Sequence, residues 1–312
     1  MSESLAVRAE ILKLARLLRR EPADLEYLAS VPAADIRALR EEVTDVLFTA
    51  HGQALARLAA GSKVLPVALV ATLGERVFGA VLSARIAGLL DPGRAVEMAA
   101  RMPTPFLADV AVELDPRRAS EVICRIPPEQ IAAITSELIG RGEYVTMGRF
   151  VGHLTPACIT AAVEVMDDRS LLHVAFVLES KESLKDLIGV LPPDRLDGII
   201  RAAAEENLWP EVLDLLTHLT LEQRRALVER AAARDDGSTL AALLAAAQQE
   251  DMWAELLPLM PLLPAEGRQR VAAIVAAMDP GERDEISRHV RAAGLMDRLG
   301  PLGEALLDGR PG

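Results

Sequence analysis

The sequence predicts an all-α protein, a right-handed α-solenoid of short helical hairpins with proline-marked corners. Its composition is the first observation, since hydrophobic residues make up 51% of the 312 residues but aromatic residues only 3%. Ala, Leu, Val and Ile therefore supply most of the apolar content, a mixture that favours helices over sheets. The second and third observations are an internal repeat and prolines that recur at the boundaries of the repeated segments.

The most direct repeat appears at a shift of 24 residues, which places Leu90–Pro103 on Leu114–Pro127 with eight identities in fourteen positions. In the second copy, Asp115 can accept hydrogen bonds from the free amides of a first helical turn, and Pro116 can occupy the first helical position without losing a bond. The pair Pro127-Pro128 prevents the helix from continuing. The apolar residues between these points have helical spacing: Ala119, Val122, Ile123 and Ile126.

Two longer shifts extend the repeat. A shift of 65 residues places Ile126–Thr155 on Leu191–Thr220, and a shift of 44 places Trp209 on Trp253. Tyr144 coincides with Trp209 in the first of these superpositions. The aromatic residues at this repeat position fill gaps between hairpins, or they form a row of anchors for a partner, because Trp and Tyr are enriched at binding hot spots. The candidate interaction anchors are Tyr144, Trp209 and Trp253.

Further helix starts follow the same pattern. We expect them at Asp91-Pro92, Thr155-Pro156 and Asp279-Pro280, and a capping box at Thr220–Gln223. Helices of about ten residues cannot bury an apolar face alone and must stack on their neighbours.

The predicted organisation has three parts. Residues 1–60 hold two amphipathic helices, Leu5–Leu18 and Ile36–Leu58, that match no repeat and can cap the array. Residues 61–300 form the repeat array, with possible sub-units 61–190 and 191–300, and residues 301–312 form a tail.

Charge and cysteine content restrict the class of partner and the compartment. A net charge of −12 argues against nucleic acid, which requires clustered cations. The basic residues Lys13, Arg16, Arg19 and Arg20 are expected to form a solvated helix face. Two cysteines without a paired spacing, and no signal peptide, indicate a cytoplasmic protein. The apolar stretch Val64–Leu90 contains Glu75, Arg76 and Arg85, so we expect a buried helix pair and no membrane insertion.

The corner motifs LDPGRA, LDPRRA, IPPE and LPPD resemble the N-terminal superhelical domain of MgtE-type magnesium transporters, over about residues 89–196. The helical repeats of the flagellar rotor switch family are similar, as are armadillo and HEAT repeats in general. The resemblance implies a cytosolic helical module that docks on other protein parts. Transport is not implied, because the chain offers neither a pore nor room for the paired regulatory domains of the transporter.

The sequence contains no convincing catalytic motif, and we predict that the protein is not an enzyme. His153 and Cys158 flank a corner, but the spacings HExxH, HxxxH and CxxC are absent. His153 and His218 occupy equivalent positions at helix ends, where an imidazole can cap carbonyl groups. Cys124 lies in an apolar stripe and is expected in the core. We predict no catalytic, cofactor or metal residue, although the transporter resemblance implies weak Mg²⁺ binding at acidic pairs: Glu205-Glu206, Glu250-Asp251, Asp167-Asp168 and Asp235-Asp236.

The functional prediction is a non-enzymatic scaffold or adaptor that binds a protein partner or a second copy of itself. The alternative is a regulatory protein that responds to Mg²⁺ or a small ligand, with Val64–Leu90 lining a pocket.

Overall fold

A computed structural model describes residues 2–49, 52–233 and 237–300, together with Gly303 and Leu306. Within these residues every regular element is helical and no strand occurs, which confirms the all-α class. Most of the predicted tail at 301–312, and the acidic pair Asp235-Asp236, lie outside the described residues.

The chain divides into two compact units. Val7–Ser183 form the N-terminal unit, whereas Met1–Ala6 and Leu184–Gly312 form the C-terminal unit. The first twelve helices are α1 (Ser2–Leu18), α2 (Ala33–Thr49), α3 (Gly52–Ser62), α4 (Val67–Leu73), α5 (Gly79–Ala87), α6 (Pro92–Ala99), α7 (Thr104–Glu113), α8 (Ser120–Ile123), α9 (Pro128–Gly140), α10 (Tyr144–Phe150), α11 (Pro156–Val165) and α12 (Asp168–Phe176). The remaining helices are α13 (Ser183–Gly189), α14 (Pro193–Glu206), α15 (Trp209–Thr217), α16 (Leu221–Ala232), α17 (Ser238–Gln249), α18 (Trp253–Leu256), α19 (Ala265–Ala276) and α20 (Pro280–Ala292).

Prolines begin the helices as predicted. Each occupies the first position, where a missing amide proton costs no hydrogen bond: Pro92, Pro128, Pro156, Pro193 and Pro280 begin α6, α9, α11, α14 and α20. The caps are also present. The Asp91 carboxylate accepts from the Arg94 amide at 3.0 Å, and Thr220 and Asp279 each form a capping box.

One predicted helix is largely absent. The residues after Asp115 form turns, and only α8 follows, with four residues. The Asp115 side chain accepts from the backbone amide of Arg117 at 3.1 Å and also pairs with the Arg117 guanidinium at 3.1 Å. Arg118 is drawn to Asp45 of α2 at 2.7 Å. These charged contacts hold the segment in a turn, although its sequence resembles that of α6.

Helices pack mainly on the next helix but one. In the N-terminal unit the contacting pairs are α3 with α5, α4 with α6, α5 with α7, α6 with α8, α7 with α9, α9 with α11 and α10 with α12. In the C-terminal unit they are α14 with α16, α15 with α17, α17 with α19 and α18 with α20. Buried Leu, Ile, Val and Ala side chains fill the seams between these helices, for example Ala84, Leu114 and Ile123.

The stretch Val64–Leu90 differs from its prediction. It contains α4, a π-helical turn at Gly74–Phe78, and α5, so a pair of helices is present. Gly79 has φ of 69°, a conformation that glycine adopts without strain, and it separates the two helices. The run Val67–Ala87 is long and apolar enough to cross a membrane by length and composition, yet only 22% of its most apolar window is buried. The expectation of a buried pair is therefore wrong.

Candidate functional site

Exposed apolar side chains concentrate in one part of the N-terminal unit. Of fourteen large hydrophobic residues exposed in the described chain, ten lie between Leu39 and Leu89. The six on α3, α4, α5 and their connections are here called the α3–α5 surface: Leu58, Val64, Leu65, Leu69, Val77 and Val81. Val64 and Val77 are 85% and 67% exposed. The rest of the described chain therefore leaves these apolar side chains uncovered.

The local sequence explains why this face points outward. Leu55, Ala59 and Ile86 form the seam between α3 and α5, and they take up the inward faces of both helices. The π-helical turn and Gly79, whose φ is 69°, interrupt the helical register between α4 and α5, so the two helices do not share one continuous face. Val77 belongs to the π-helical turn and Val81 to α5, and both side chains are exposed.

Several charged residues accompany the α3–α5 surface, among them Glu75 of the π-helical turn and Arg85 of α5. Glu75 is exposed and Arg85 is half-buried, and neither has an ion-pair partner among the residues that the structure describes. Unpaired charges beside exposed apolar side chains are suited to pair with charges on another molecule.

The predicted aromatic anchors share a structural position. Tyr144, Trp209 and Trp253 are the first residues of α10, α15 and α18. Trp209 and Trp253 are buried, and the Tyr144 ring stacks on His173 with ring centroids 4.9 Å apart. Burial of both indoles corresponds to the gap-filling alternative, and none of the three residues belongs to the α3–α5 surface.

The cysteines occupy different environments. Cys158 is buried, whereas Cys124 is exposed, so the prediction that Cys124 lies in the core is wrong. Cys124 is the C-cap residue of the one-turn helix α8, and its Sγ lies 3.3 Å from the His153 carbonyl oxygen. The shortness of α8 leaves the thiol outside the stripe formed by Val122 and Ile123.

The histidines end helical segments, as expected. His153 closes a 3₁₀ turn after α10, and His218 is the C-cap residue of α15. The His153 Nδ1 lies 3.3 Å from the Ser120 hydroxyl, and burial lowers the pKa of this imidazole.

Within the described ranges, no group of three or more His, Cys, Asp or Glu side chains is placed to hold a metal ion. Of the acidic pairs, Asp167 caps α12 by accepting from the Ser170 amide at 2.6 Å.

A buried ion cluster is the functional feature that sequence reasoning missed. Glu10 of α1 is almost fully buried and accepts from Lys13 at 2.9 Å and from Arg40 of α2 at 3.2 Å. Arg37 also donates to Glu10 at 2.9 Å. Glu179, which follows α12, accepts from Arg40 and lies 3.8 Å from Lys13. The cluster therefore ties α1 to α2 and to the end of α12.

Lys13 and Arg16 thus have partners inside the fold, which corrects the prediction of a solvated basic face. Lys13 is 3% exposed, and Arg16 makes two hydrogen bonds of 2.9 Å to Glu143. Arg19 and Arg20 are exposed, as expected. Helical spacing placed these residues on one face correctly, but it carried no information on the distant carboxylates that cover it.

Electrostatics determine the protonation of the cluster. Burial alone raises the pKa of the Glu10 carboxyl, but the positive charges of Lys13, Arg40 and Arg37 together outweigh it and lower the pKa below its ordinary value. Glu10 is therefore ionised at neutral pH.

Comparison of the chain with models of known protein families, with curated proteins and with solved structures finds no match.

Proposed function

We propose that this chain is a non-enzymatic helical-repeat protein of the cytoplasm that associates with a second copy of itself through the α3–α5 surface. The observation that carries the proposal is the concentration of exposed apolar side chains on this surface. The proposed architecture for each unit is a short α-solenoid of helical hairpins. Packing of each helix on the next but one, with proline-marked corners, supports it and agrees with the resemblance to the superhelical domain of MgtE-type transporters.

Charge complementarity favours a second copy as the occupant. A two-fold axis at Ala80 would make the α4–α5 runs of two copies antiparallel. Glu75 and Arg85 are each five residues from Ala80, so Glu75 of one copy would lie opposite Arg85 of the other, and the reverse pair would form by symmetry. Such a contact would form the Glu75–Arg85 pair twice, while Val77 and Val81 are removed from water.

Sedimentation velocity over a hundredfold range of concentration tests the proposal. We expect the wild-type protein to pass from monomer to dimer, and Val77→Lys to remain monomeric at concentrations where the wild type is dimeric. Val165→Lys is the matched control, since Val165 is 40% exposed but lies on α11, outside the surface. A wild-type protein that stays monomeric throughout would contradict the proposal.

Charge reversal tests the geometry of the pair. Glu75→Arg and Arg85→Glu should each weaken the dimer at least tenfold, because each places like charges opposite one another. The double variant should recover most of the affinity. Dimerisation without this recovery would rule out the two-fold arrangement at Ala80.

A further inference from the structure

The N-terminal unit contains a cavity of about 90 Å³ lined largely by charged side chains. It lies among α1, α2, the end of α7, the turn that follows, and α10. A single water molecule needs roughly 10–15 Å³ measured in this way, so the cavity has room for several waters or for one small polyatomic group. The charged residues of its lining are Lys13, Arg16, Arg19, Arg40, Arg149, Glu113 and Asp115.

Four of the five cations that line the cavity are matched by carboxylates. Lys13 and Arg40 share Glu10 and Glu179, and Arg16 binds Glu143 through two hydrogen bonds. Arg19 pairs with Glu113 at 2.7 Å. The two carboxylates in the lining are likewise engaged, Glu113 by Arg19 and Asp115 by Arg117 and Arg118. Each of these lining side chains therefore has a partner of opposite charge.

Arg149 is the exception. Its Nη2 donates to the Leu114 carbonyl oxygen at 3.2 Å, and no carboxylate of the described chain lies within ion-pair distance of its guanidinium. Burial lowers the pKa of this guanidinium. The negative charge of Asp115 acts in the opposite direction but does not cancel the effect of burial. The Arg149 side chain is half-buried, and only one of its five N–H donors has an acceptor in the described chain, so an acceptor that enters the cavity can bind the others.

Backbone packing fixes the position of Arg149. It follows Gly148 on α10, and a Cβ atom added to Gly148 would lie 2.7 Å from the Val177 carbonyl oxygen. The backbones therefore approach closely at this point. The Gly148 carbonyl also accepts from the Glu179 amide at 3.3 Å, so α10 is held against the segment that carries Glu179. The guanidinium is thus presented to the cavity from a rigid support.

We infer that this cavity binds a small oxyanion, a carboxylate or phosphate group with one negative charge to match the single unmatched cation, and that Arg149 is its principal ligand. The planar guanidinium presents paired donors that match two oxygens of such a group. Lys13 and Arg40 are already paired with Glu10 and Glu179, so Arg149 supplies the unmatched positive charge, and the carboxylates Glu113 and Asp115 disfavour groups of higher charge. The cavity volume suits a small polyatomic group and is too small to enclose a nucleotide. This site lies outside the α3–α5 surface, so oxyanion binding and dimerisation can be tested independently of each other.

Calorimetric titration at constant ionic strength, with acetate, inorganic phosphate and chloride as separate probes, tests the inference. We expect saturable binding of acetate, of phosphate, or of both, and at least tenfold weaker binding to Arg149→Met. Acetate alone identifies a carboxylate site and phosphate alone a phosphate site. Arg125→Met is the matched control, since Arg125 is exposed on the same unit and should leave binding unchanged. Absence of binding to the wild type, or equal binding of chloride, would overturn the inference.

Two further measurements separate binding from folding. Amide chemical shifts of the wild-type protein, followed during the titration, should change most around Arg149 and along α1; changes confined to other helices would contradict the assigned position. In buffer without either oxyanion, Arg149→Met should melt no lower than the wild type, because the substitution removes a half-buried charge that has no ion-pair partner in the described chain. Arg149→Lys keeps the charge but loses the paired donors, so it should bind more weakly than the wild type and more tightly than Arg149→Met.

Discussion

At the scale of single residues, Glu10 is the most consequential side chain in the N-terminal unit. Three cations surround its carboxylate, and both of its oxygens accept hydrogen bonds. A buried ion pair of this kind need not stabilise more than an apolar contact of equal volume. Loss of one partner is nevertheless costly, because the remaining charges stay buried without compensation.

We therefore predict that Glu10→Gln lowers the free energy of unfolding by about 3 kcal/mol. Urea unfolding at pH 7, followed by circular dichroism, measures this change. Glu26→Gln is the control, since Glu26 is exposed on the 3₁₀ segment Pro22–Leu28 and its replacement should change stability by less than about 0.5 kcal/mol. Equal stability of the two variants would contradict the role assigned to the cluster.

The pH dependence of stability follows from the same carboxylate. Because the pKa of Glu10 is lower in the folded protein than its ordinary value of 4.5, its contribution is fully present above pH 4.5. The contribution is lost as pH falls through the folded-state pKa. Between pH 5 and pH 3, the wild type should therefore lose more stability than Glu10→Gln does.

The residues of this cluster illustrate what the sequence could not predict. Lys13 and Arg16 lie on one helix face by spacing alone, but Glu143 and Glu179 are far away in the chain and reach that face only through folding. Arg149 has no distinctive neighbours in sequence either. Its importance depends on the absence of a nearby carboxylate, which only the structure reveals.

At the scale of elements, the proline corners were predicted well because their physical cause is local. A proline tolerates the first helical position and resists later ones, wherever the segment lies in the fold. The prediction of a helix failed after Asp115 because ion pairs compete with helix formation there. Arg117 and Arg118 pair with the Asp115 carboxylate, and Arg118 also pairs with Asp45. The two copies of the repeat therefore differ, because Pro92 begins a helix and Pro116 lies in a turn.

Helix α11 permits a matched test of a corner. The Thr155 hydroxyl caps the helix by accepting from the Cys158 amide at 3.3 Å, whereas the Thr160 hydroxyl lies within the helix and donates to the Pro156 carbonyl oxygen. Thr155→Ala should reduce stability by about 1 kcal/mol. Thr160→Ala should leave it unchanged or raise it by up to about 0.7 kcal/mol, because Ala has the higher helix propensity. Urea unfolding of both variants measures the difference, and equal losses would show that Thr155 does not act as a cap.

Helix α10 permits a second matched test, of backbone packing. Gly148→Ala introduces a methyl group 2.7 Å from the Val177 carbonyl oxygen, so α10 must shift and stability should fall by about 1–3 kcal/mol. Gly140→Ala, at the end of α9, meets no atom within 4 Å and should stabilise the helix by up to about 1 kcal/mol. Thermal unfolding compares the two variants, and a Gly148→Ala protein as stable as the wild type would show that the close approach is easily relieved.

At the scale of the whole molecule, the sequence predicted the helical class but not which apolar segments remain exposed. Val64–Leu90 has the composition of a core, and only the packing of α3 on α5 shows that one side of each helix already fills the seam. The buried Trp209 and Trp253 illustrate the converse, since residues typical of binding hot spots also suit a tightly packed interior. Amino-acid composition identifies apolar segments that favour burial. It does not identify which helix of the same chain, or which other molecule, covers them.

The proposed self-association through the α3–α5 surface predicts a thermodynamic consequence. If the folded protein is a dimer that separates on unfolding, mass action raises its melting temperature as protein concentration increases. We expect this rise for the wild type and for Val165→Lys, and a melting temperature independent of concentration for Val77→Lys. The Arg149→Met variant should retain the rise, because its cavity plays no part in the contact. Scanning calorimetry at several concentrations measures the slope, and a wild-type melting temperature that is constant over a hundredfold range would exclude a dimer that forms and separates with folding.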